Sequence, residues 1–238
     1  MLPSAVRGTG RMESGESTGG GGRRRTPWLL LYATAMGLLE AAVVVYLREL
    51  FYPDGFRFPM VLLPPRIALV ELVREATTLA MLLAVAALAA RDRVDGFFVF
   101  ALLFGVWDIV YYAGLRLALG WPASLLEWDV LFLIPVPWLA PVAYPLAISV
   151  LLIAGFVVHE RLARTGGSLR PTVVEWASSS AGAVAIVVAF CWHWRAVSEQ
   201  RVPQGFPLGL FLAGVAVACA PFLLAARRGS QNRLRTIS

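Results

Sequence analysis

Five acidic residues occur inside strongly apolar stretches of this chain, where a charge has few stable surroundings. They are Glu40, Glu71, Glu75, Asp108 and Asp129. An isolated charge at the centre of a bilayer costs about 2.5 to 3.5 kcal/mol, so each carboxylate must be paired, neutralised or hydrated. Carboxylates gathered at one place can bind a proton or a cation, or act as a general acid and base.

The acids fall at a common depth when they are placed on the predicted helices at about 1.5 Å per residue. All five then lie in the outer half of the bilayer, together with Arg74 and Arg116. Tyr112 is four residues from Asp108 and shares its helical face. We therefore predict a polar cluster, formed by these eight residues, in the outer half of the membrane.

The predicted cluster forms a pocket that opens to the outer face. Asp108 is its floor, Glu40 and Glu75 are its walls, and residues 121–129 are its lid. An alternative is purely structural, with ion pairs such as Glu75 to Arg116 holding the helices together.

Other polar residues lie near the ends of predicted spans, where an interfacial role is simpler. Glu71 is an interfacial residue in this alternative. Asp129 is one too if its segment lies flat on the membrane. His159 and Glu160, at the cytoplasmic end of the predicted fourth span, are expected to be boundary residues.

The composition places the chain among multi-pass membrane proteins. Of its 238 residues, 58% are hydrophobic and only 15% charged, and the mean hydropathy is +0.70. The 21 basic residues are all arginine and give a net charge of +6. Because these arginines lie between apolar runs, we expect them to meet anionic lipid and set membrane topology, and we expect no nucleic-acid partner.

The predicted fold is all-α, a polytopic transmembrane helix bundle. Each apolar run of about 20 residues can cross the hydrocarbon core as a helix. The six predicted spans cover residues 28–47, 66–90, 97–119, 136–158, 173–192 and 206–226. Residues 1–27 are predicted to be a disordered cytoplasmic tail, 28–226 the transmembrane domain, and 227–238 a cytoplasmic C-terminal tail.

The apolar stretch 124–158 is too long for one crossing and too short for two. Pro135, Pro137, Pro141 and Pro145 interrupt it, since proline removes a backbone donor and obstructs the preceding helical turn. We predict that residues 124–134 form a short re-entrant piece or half-helix before the fourth span. A single kinked helix with an interfacial lead-in is the alternative.

Arginine counts and small residues predict the topology and the helix contacts. The predicted tails and even-numbered loops carry 14 arginines and the opposite side six, so both termini are expected in the cytoplasm. Small residues at four-residue spacing in the fifth and sixth spans allow close helix packing. Packing within one chain is the expected use, and a homo-oligomer through the same faces is the alternative.

Two runs carry a family resemblance. They are Trp107-Asp108-x-x-Tyr111-Tyr112 and Gly120-Trp121-Pro122-x-Ser124-Leu125-x-x-Trp128-Asp129-x-Leu131-Phe132-x-Ile134-Pro135. On these residues, the chain over about 28–160 resembles a group of uncharacterised bacterial multi-pass membrane proteins with no established activity. This resemblance and the lysine-free composition imply a bacterial cytoplasmic (inner) membrane.

Three functions are compatible with these residues. One is proton- or cation-coupled transport, with the carboxylates binding the ion. The second is an intramembrane enzyme that modifies a lipid or isoprenoid, and the third is a structural or accessory membrane protein. No cofactor motif is identified, although a bound cation fits the carboxylates; the small ligand and any catalytic residues stay unassigned. The predicted partner is the lipid bilayer, with a second copy of the chain as the alternative.

Overall fold

The computed structural model describes residues 20–237, with side chains described for residues 25–229. Its helices are α1 (Gly20–Phe51), α2 (Pro65–Ala89), α3 (Arg93–Leu119), α4 (Ala143–Arg164), α5 (Val173–Cys191), α6 (Arg195–Ser198) and α7 (Leu208–Ile237). Two short strands, β1 (Trp128–Phe132) and β2 (Trp138–Pro141), lie between α3 and α4. The disorder predicted for residues 1–19 falls outside the described residues.

Six of the described helices are long and apolar enough to cross a membrane. Five of them are α1, α2, α3, α4 and α7, and the sixth runs over Val173–Ser198, through α5 and the four-residue α6. The protein is therefore an integral membrane protein, and the predicted bundle of six transmembrane helices is confirmed.

The first and last helices extend beyond their predicted bounds. The α1 helix begins at Gly20, so it includes residues 20–27 of the predicted tail. Within it, Arg25 forms an ion pair with Asp95 of α3, which holds this turn against the bundle. The α7 helix continues through most of the predicted C-terminal tail and ends at Ile237.

Two forms were possible for residues 124–134, a re-entrant piece or a half-helix, and the half-helix is wrong. Residues 128–132 form a strand that pairs antiparallel with β2, with Asp129 opposite Ala140 and Val130 opposite Leu139. The prolines after β1 prevent a helix there, whereas the hairpin pairs its backbone groups internally. As a consequence, the fourth span begins at Ala143 and not near residue 136.

Caps fix the ends of α3, the helix that carries the Trp-Asp-x-x-Tyr-Tyr run. The Asp92 side chain accepts a hydrogen bond from the Asp95 amide at the N-terminus. Gly120 ends the helix with a φ of +68°, a left-handed conformation that glycine adopts without strain. The 27 residues between these caps give α3 a length of about 40 Å, enough to cross the bilayer.

The helices pack as two groups. Helices α1, α2 and α4 pack against α3, and α5 packs against α7. In the second group a Cβ atom on Gly182 would lie 2.4 Å from the Ala218 amide nitrogen, so only glycine allows this approach. These small residues therefore serve a contact within one chain. The α5–α7 pair meets the first group mainly through α4 and β2, which leaves an interior space between the groups.

Candidate functional site

An elongated cavity of about 780 Å³ fills the space between α3 and the α5–α7 pair. Helices α1, α2 and α4 and the β1–β2 hairpin complete its wall. The charged residues of the wall are Glu40, Arg48, Glu71, Arg74, Glu75, Asp108 and Asp129. Tyr112 also lines the cavity. The structure thus places seven of the eight residues of the predicted cluster around one space.

Arg74 joins two of these acids across α1 and α2. Its guanidinium forms an ion pair with Glu40 and donates a hydrogen bond to Glu71 Oε2 at 2.7 Å. The Thr78 hydroxyl donates to the second oxygen of Glu40, at 3.2 Å. Glu71 and Arg74 are three residues apart on α2 and therefore lie on one face. The single arginine contacts both buried carboxylates, and its one positive charge offsets one of their two negative charges.

Asp129 lies on β1, in the hairpin between the third and fourth spans, and is almost completely buried. Arg48 Nη2 donates to its Oδ1 at 3.0 Å, and the Tyr112 hydroxyl donates to its Oδ2 at 3.1 Å. Burial raises the pKa of the Asp129 carboxyl, and the charge of Arg48 opposes that rise. The interfacial alternative for Asp129 is therefore wrong, because hairpin formation turns this residue into the bundle.

Arg48 was not predicted as part of the cluster. Its guanidinium lies 4.3 Å from the centre of the Phe56 ring and 3.6 Å from that of Trp121, in cation–π contact with both. The sequence places it just beyond the predicted first span, where arginine is usually an interfacial residue. Its one distinguishing signal is the run of aromatic residues that follows it.

Asp108 and Glu75 form no salt bridge with any described side chain. The Ser149 hydroxyl of α4 donates to Asp108 Oδ2 at 2.7 Å, and the Leu133 amide donates to Glu75 Oε2 at 2.8 Å. Both acids are more than nine-tenths buried, with exposed fractions of 8% for Asp108 and 7% for Glu75. These two carboxyl groups are therefore the acids of the cavity wall that form no salt bridge with a described side chain.

Arg116 does not belong to this cluster. Its guanidinium donates to the Gly120 and Pro122 carbonyls at the C-terminal end of α3. The predicted pair of Arg116 with Glu75 is therefore wrong. The prediction considered depth alone, whereas Arg116 lies eight residues and about 80° around the helix from Asp108.

A second charged network lies at the opposite end of the bundle. Asp95 of α3 accepts two hydrogen bonds from Arg25, at 2.6 and 2.7 Å, and one from the Arg91 guanidinium at 2.7 Å. His159 Nε2 lies 3.1 Å from the same carboxylate, and Glu160 is 2.8 Å from Arg91. This network was missed, because Arg25, Arg91 and Asp95 fall in predicted tail and loop segments. It ties α1, α3 and α4 together below the cavity.

Comparison with known proteins finds no match to this chain. No protein-family model matches it, and no curated protein or solved structure matches it either. The function is therefore argued from the cavity itself.

The cavity combines two chemical environments. Carboxylates and arginines occupy the part next to the hairpin, and the rest of the wall is aromatic and aliphatic, with residues such as Phe104, Ile148 and Phe222. Among the described side chains, no group of three or more His, Cys, Asp or Glu residues could hold a metal ion. Such a wall can bind an amphipathic molecule, and its two unneutralised carboxyl groups can exchange protons with that molecule's polar part.

Proposed function

We propose that this protein binds a lipid-like amphipathic molecule inside the membrane and acts on its polar head. The observation that carries the proposal is the cavity of about 780 Å³ with its charged part at the hairpin and its apolar part along the bundle. Among the three functions compatible with the sequence, this arrangement supports the lipid- or isoprenoid-modifying enzyme best.

The length of the cavity supports a chain-like ligand. Its wall follows α3 from Phe97 to Tyr112, which is about 22 Å at 1.5 Å per residue. This is about three quarters of the ~30 Å hydrocarbon core of a bilayer. A single acyl or isoprenoid chain lying along α3 would contact Phe100, Phe104 and the facing side chains of α5 and α7.

The chemistry of the head position rests on Asp108 and Glu75. A general acid or base must be held in position, within hydrogen-bond reach of the group whose proton it gives or takes. Ser149 holds Asp108 and the Leu133 amide holds Glu75, and neither contact neutralises the carboxylate. We assign these two residues as the candidate general acid and base.

One experiment tests whether the cavity is occupied. Ala183 and Ala181 are both exposed residues of α5, but only Ala183 lines the cavity, about 200° around the helix from Ala181. The A183W variant should lose the lipid that co-purifies with the wild-type protein, as measured by native mass spectrometry, and A181W should keep it. Equal lipid in both variants would contradict the proposal.

Proton- or cation-coupled transport is the second candidate, and the lack of a salt bridge at Asp108 and Glu75 favours it. In proteoliposomes the variants D108N and E75Q would then abolish uptake of protons or sodium, while D54N and E199Q, which change acids outside the cavity, would not. A modifying enzyme predicts no ion uptake by the wild-type protein. The bound cation that this candidate requires stays a prediction.

A purely structural role explains only part of the cluster. The pairs of Arg74 with Glu40 and of Arg48 with Asp129 join separate elements and stabilise the bundle. These pairs do not explain Asp108, Glu75 or the cavity. If the charges served only to assemble the helices, side chains would fill this space.

We further propose that the protein resides in a bacterial cytoplasmic membrane with both termini in the cytoplasm. The support is the excess of arginines on the side of the tails and the resemblance to uncharacterised bacterial membrane proteins. With this orientation the hairpin and the charged part of the cavity face the outer side.

A further inference from the structure

Four buried side-chain nitrogens in residues of the cavity wall have no hydrogen-bond partner in the described part of the chain, and one of them, Arg74 Nη1, lies in the ion pair with Glu40. The other three are Arg48 Nη1, Trp107 Nε1 and Trp138 Nε1. Arg48 is 6% exposed and Trp107 is 4% exposed, so surrounding water is largely excluded from both. A buried donor without a partner costs about 1 to 3 kcal/mol, which indicates that a bound molecule supplies the missing acceptors.

The two indoles flank one side chain of the hairpin. The Phe132 ring lies 6.2 Å from that of Trp107 and 5.3 Å from that of Trp138, measured between centres. The Leu133 amide, next to Phe132 in the chain, donates to Glu75, so the indoles lie near an acid that has no salt bridge. The unpartnered donors and the unneutralised carboxyl groups therefore border the same region.

The charge of this region restricts what can bind there. Five acids and two arginines line the cavity, so an anionic head would meet an excess of negative charge. A purely cationic head would match the acids but offer no acceptor to the N–H groups. An uncharged head with carbonyl oxygens satisfies both conditions, because a carbonyl accepts hydrogen bonds without adding charge.

We infer that the ligand of this cavity is a lipid with an uncharged, carbonyl-bearing head, whose oxygens accept hydrogen bonds from Trp107, Trp138 and Arg48. This inference rests on the proposed function and specifies its substrate class. The same chemistry is found in an isoprenoid quinone and in a glycerol ester of a fatty acid. In its protonated form Asp108 can donate a hydrogen bond to either kind of carbonyl, and the four other acids still outnumber the two arginines.

The test uses three probes with the purified full-length protein in detergent. They are a short-chain isoprenoid quinone, monooleoylglycerol, and lysophosphatidic acid with the same oleoyl chain. Binding is measured as the shift of the thermal unfolding midpoint across a probe titration. W107F and W138F keep an aromatic ring but remove the N–H, and W192F, an exposed residue outside the cavity, is the matched control.

We expect at least one uncharged probe to bind and lysophosphatidic acid to bind at least tenfold more weakly. W107F should lower the affinity for the uncharged probe about tenfold, which corresponds to one lost hydrogen bond. W192F should leave this affinity unchanged. Tight binding of the anionic probe, or equal affinity in W107F and wild type, would overturn the head-group assignment. If no probe binds while A183W still excludes co-purifying lipid, this inference fails and the proposed function survives. If A183W and A181W retain equal lipid, the proposed function fails.

Discussion

The Arg48–Asp129 pair lies at the hairpin end of the bundle and shows that a buried charge there needs a counter-charge. The two side chains come from α1 and β1, they are 7% and 3% exposed, and their charged atoms are 3.0 Å apart. Each charge is tolerated because the other is present, and loss of one partner leaves an uncompensated charge in a medium that solvates it poorly.

R48Q should therefore lower the free energy of unfolding by about 3 kcal/mol, because it leaves the Asp129 carboxylate without a counter-charge. The double variant R48Q/D129N should recover part of this loss. Unfolding by sodium dodecyl sulfate in mixed micelles measures both. The matched control is R57Q, which breaks an exposed pair with Asp54 and should cost less than about 1 kcal/mol. Equal losses in R48Q and R57Q would show that burial of the pair has no energetic consequence.

At the same scale, the residues of the cavity were predictable to different degrees. Asp108 and Glu75 could be found because an acid in an apolar span has few alternatives to a polar cavity. The partners Ser149 and Arg48 could not, since a serine in a helix and an arginine at a span end have common structural roles. Arg116 was misplaced because depth along a helix says nothing about the side on which a residue points.

At the scale of elements, the spans followed from the sequence and the hairpin did not. Six apolar runs of about 20 residues determine six crossings, since few other structures satisfy their backbone groups in lipid. A short apolar run such as residues 128–132 is equally compatible with a strand and with a buried helix. The prolines after this run predict that a helix is interrupted there. Only the pairing with β2 shows that the run is a strand.

The hairpin leads to a cross-linking prediction. Val130 and Leu139 are Cα partners across the strands, so V130C/L139C in a C191S/C219S background should form a disulfide on mild oxidation. The control W128C/F132C spans β1, where residues four apart are separated by about 13 Å, and should not form one. Mass spectrometry of the oxidised protein measures both. Efficient cross-linking of the control alone would indicate a helix over residues 128–132.

At the scale of the whole molecule, the two ends of the bundle differ in their chemistry. The end with the hairpin holds the excess of acids, and the opposite end is closed by the network of Asp95, Arg25, Arg91, His159 and Glu160. The two ends of the bundle therefore differ in charge, and the orientation of the protein determines which side of the membrane the charged part of the cavity faces.

The orientation is testable with reporter fusions in a bacterial host. Green fluorescent protein fused after residue 238 should fluoresce, and alkaline phosphatase at the same position should be inactive, because the arginine-rich side stays in the cytoplasm. Alkaline phosphatase fused after Gly205, in the loop before α7, should be active. The reversed pattern would place the charged part of the cavity on the cytoplasmic side.

The central claim is that a single chain-like molecule lies along α3 with its polar head beside Asp108 and Trp107. The most direct measurement is an electron cryo-microscopy map of the protein, bound to an antibody fragment, in nanodiscs of its host's lipids. We predict continuous density from the hairpin toward Phe97 that is absent from the A183W variant and present in A181W. A cavity that is filled by the protein's own side chains, or that holds only separate water-sized peaks, would contradict this account.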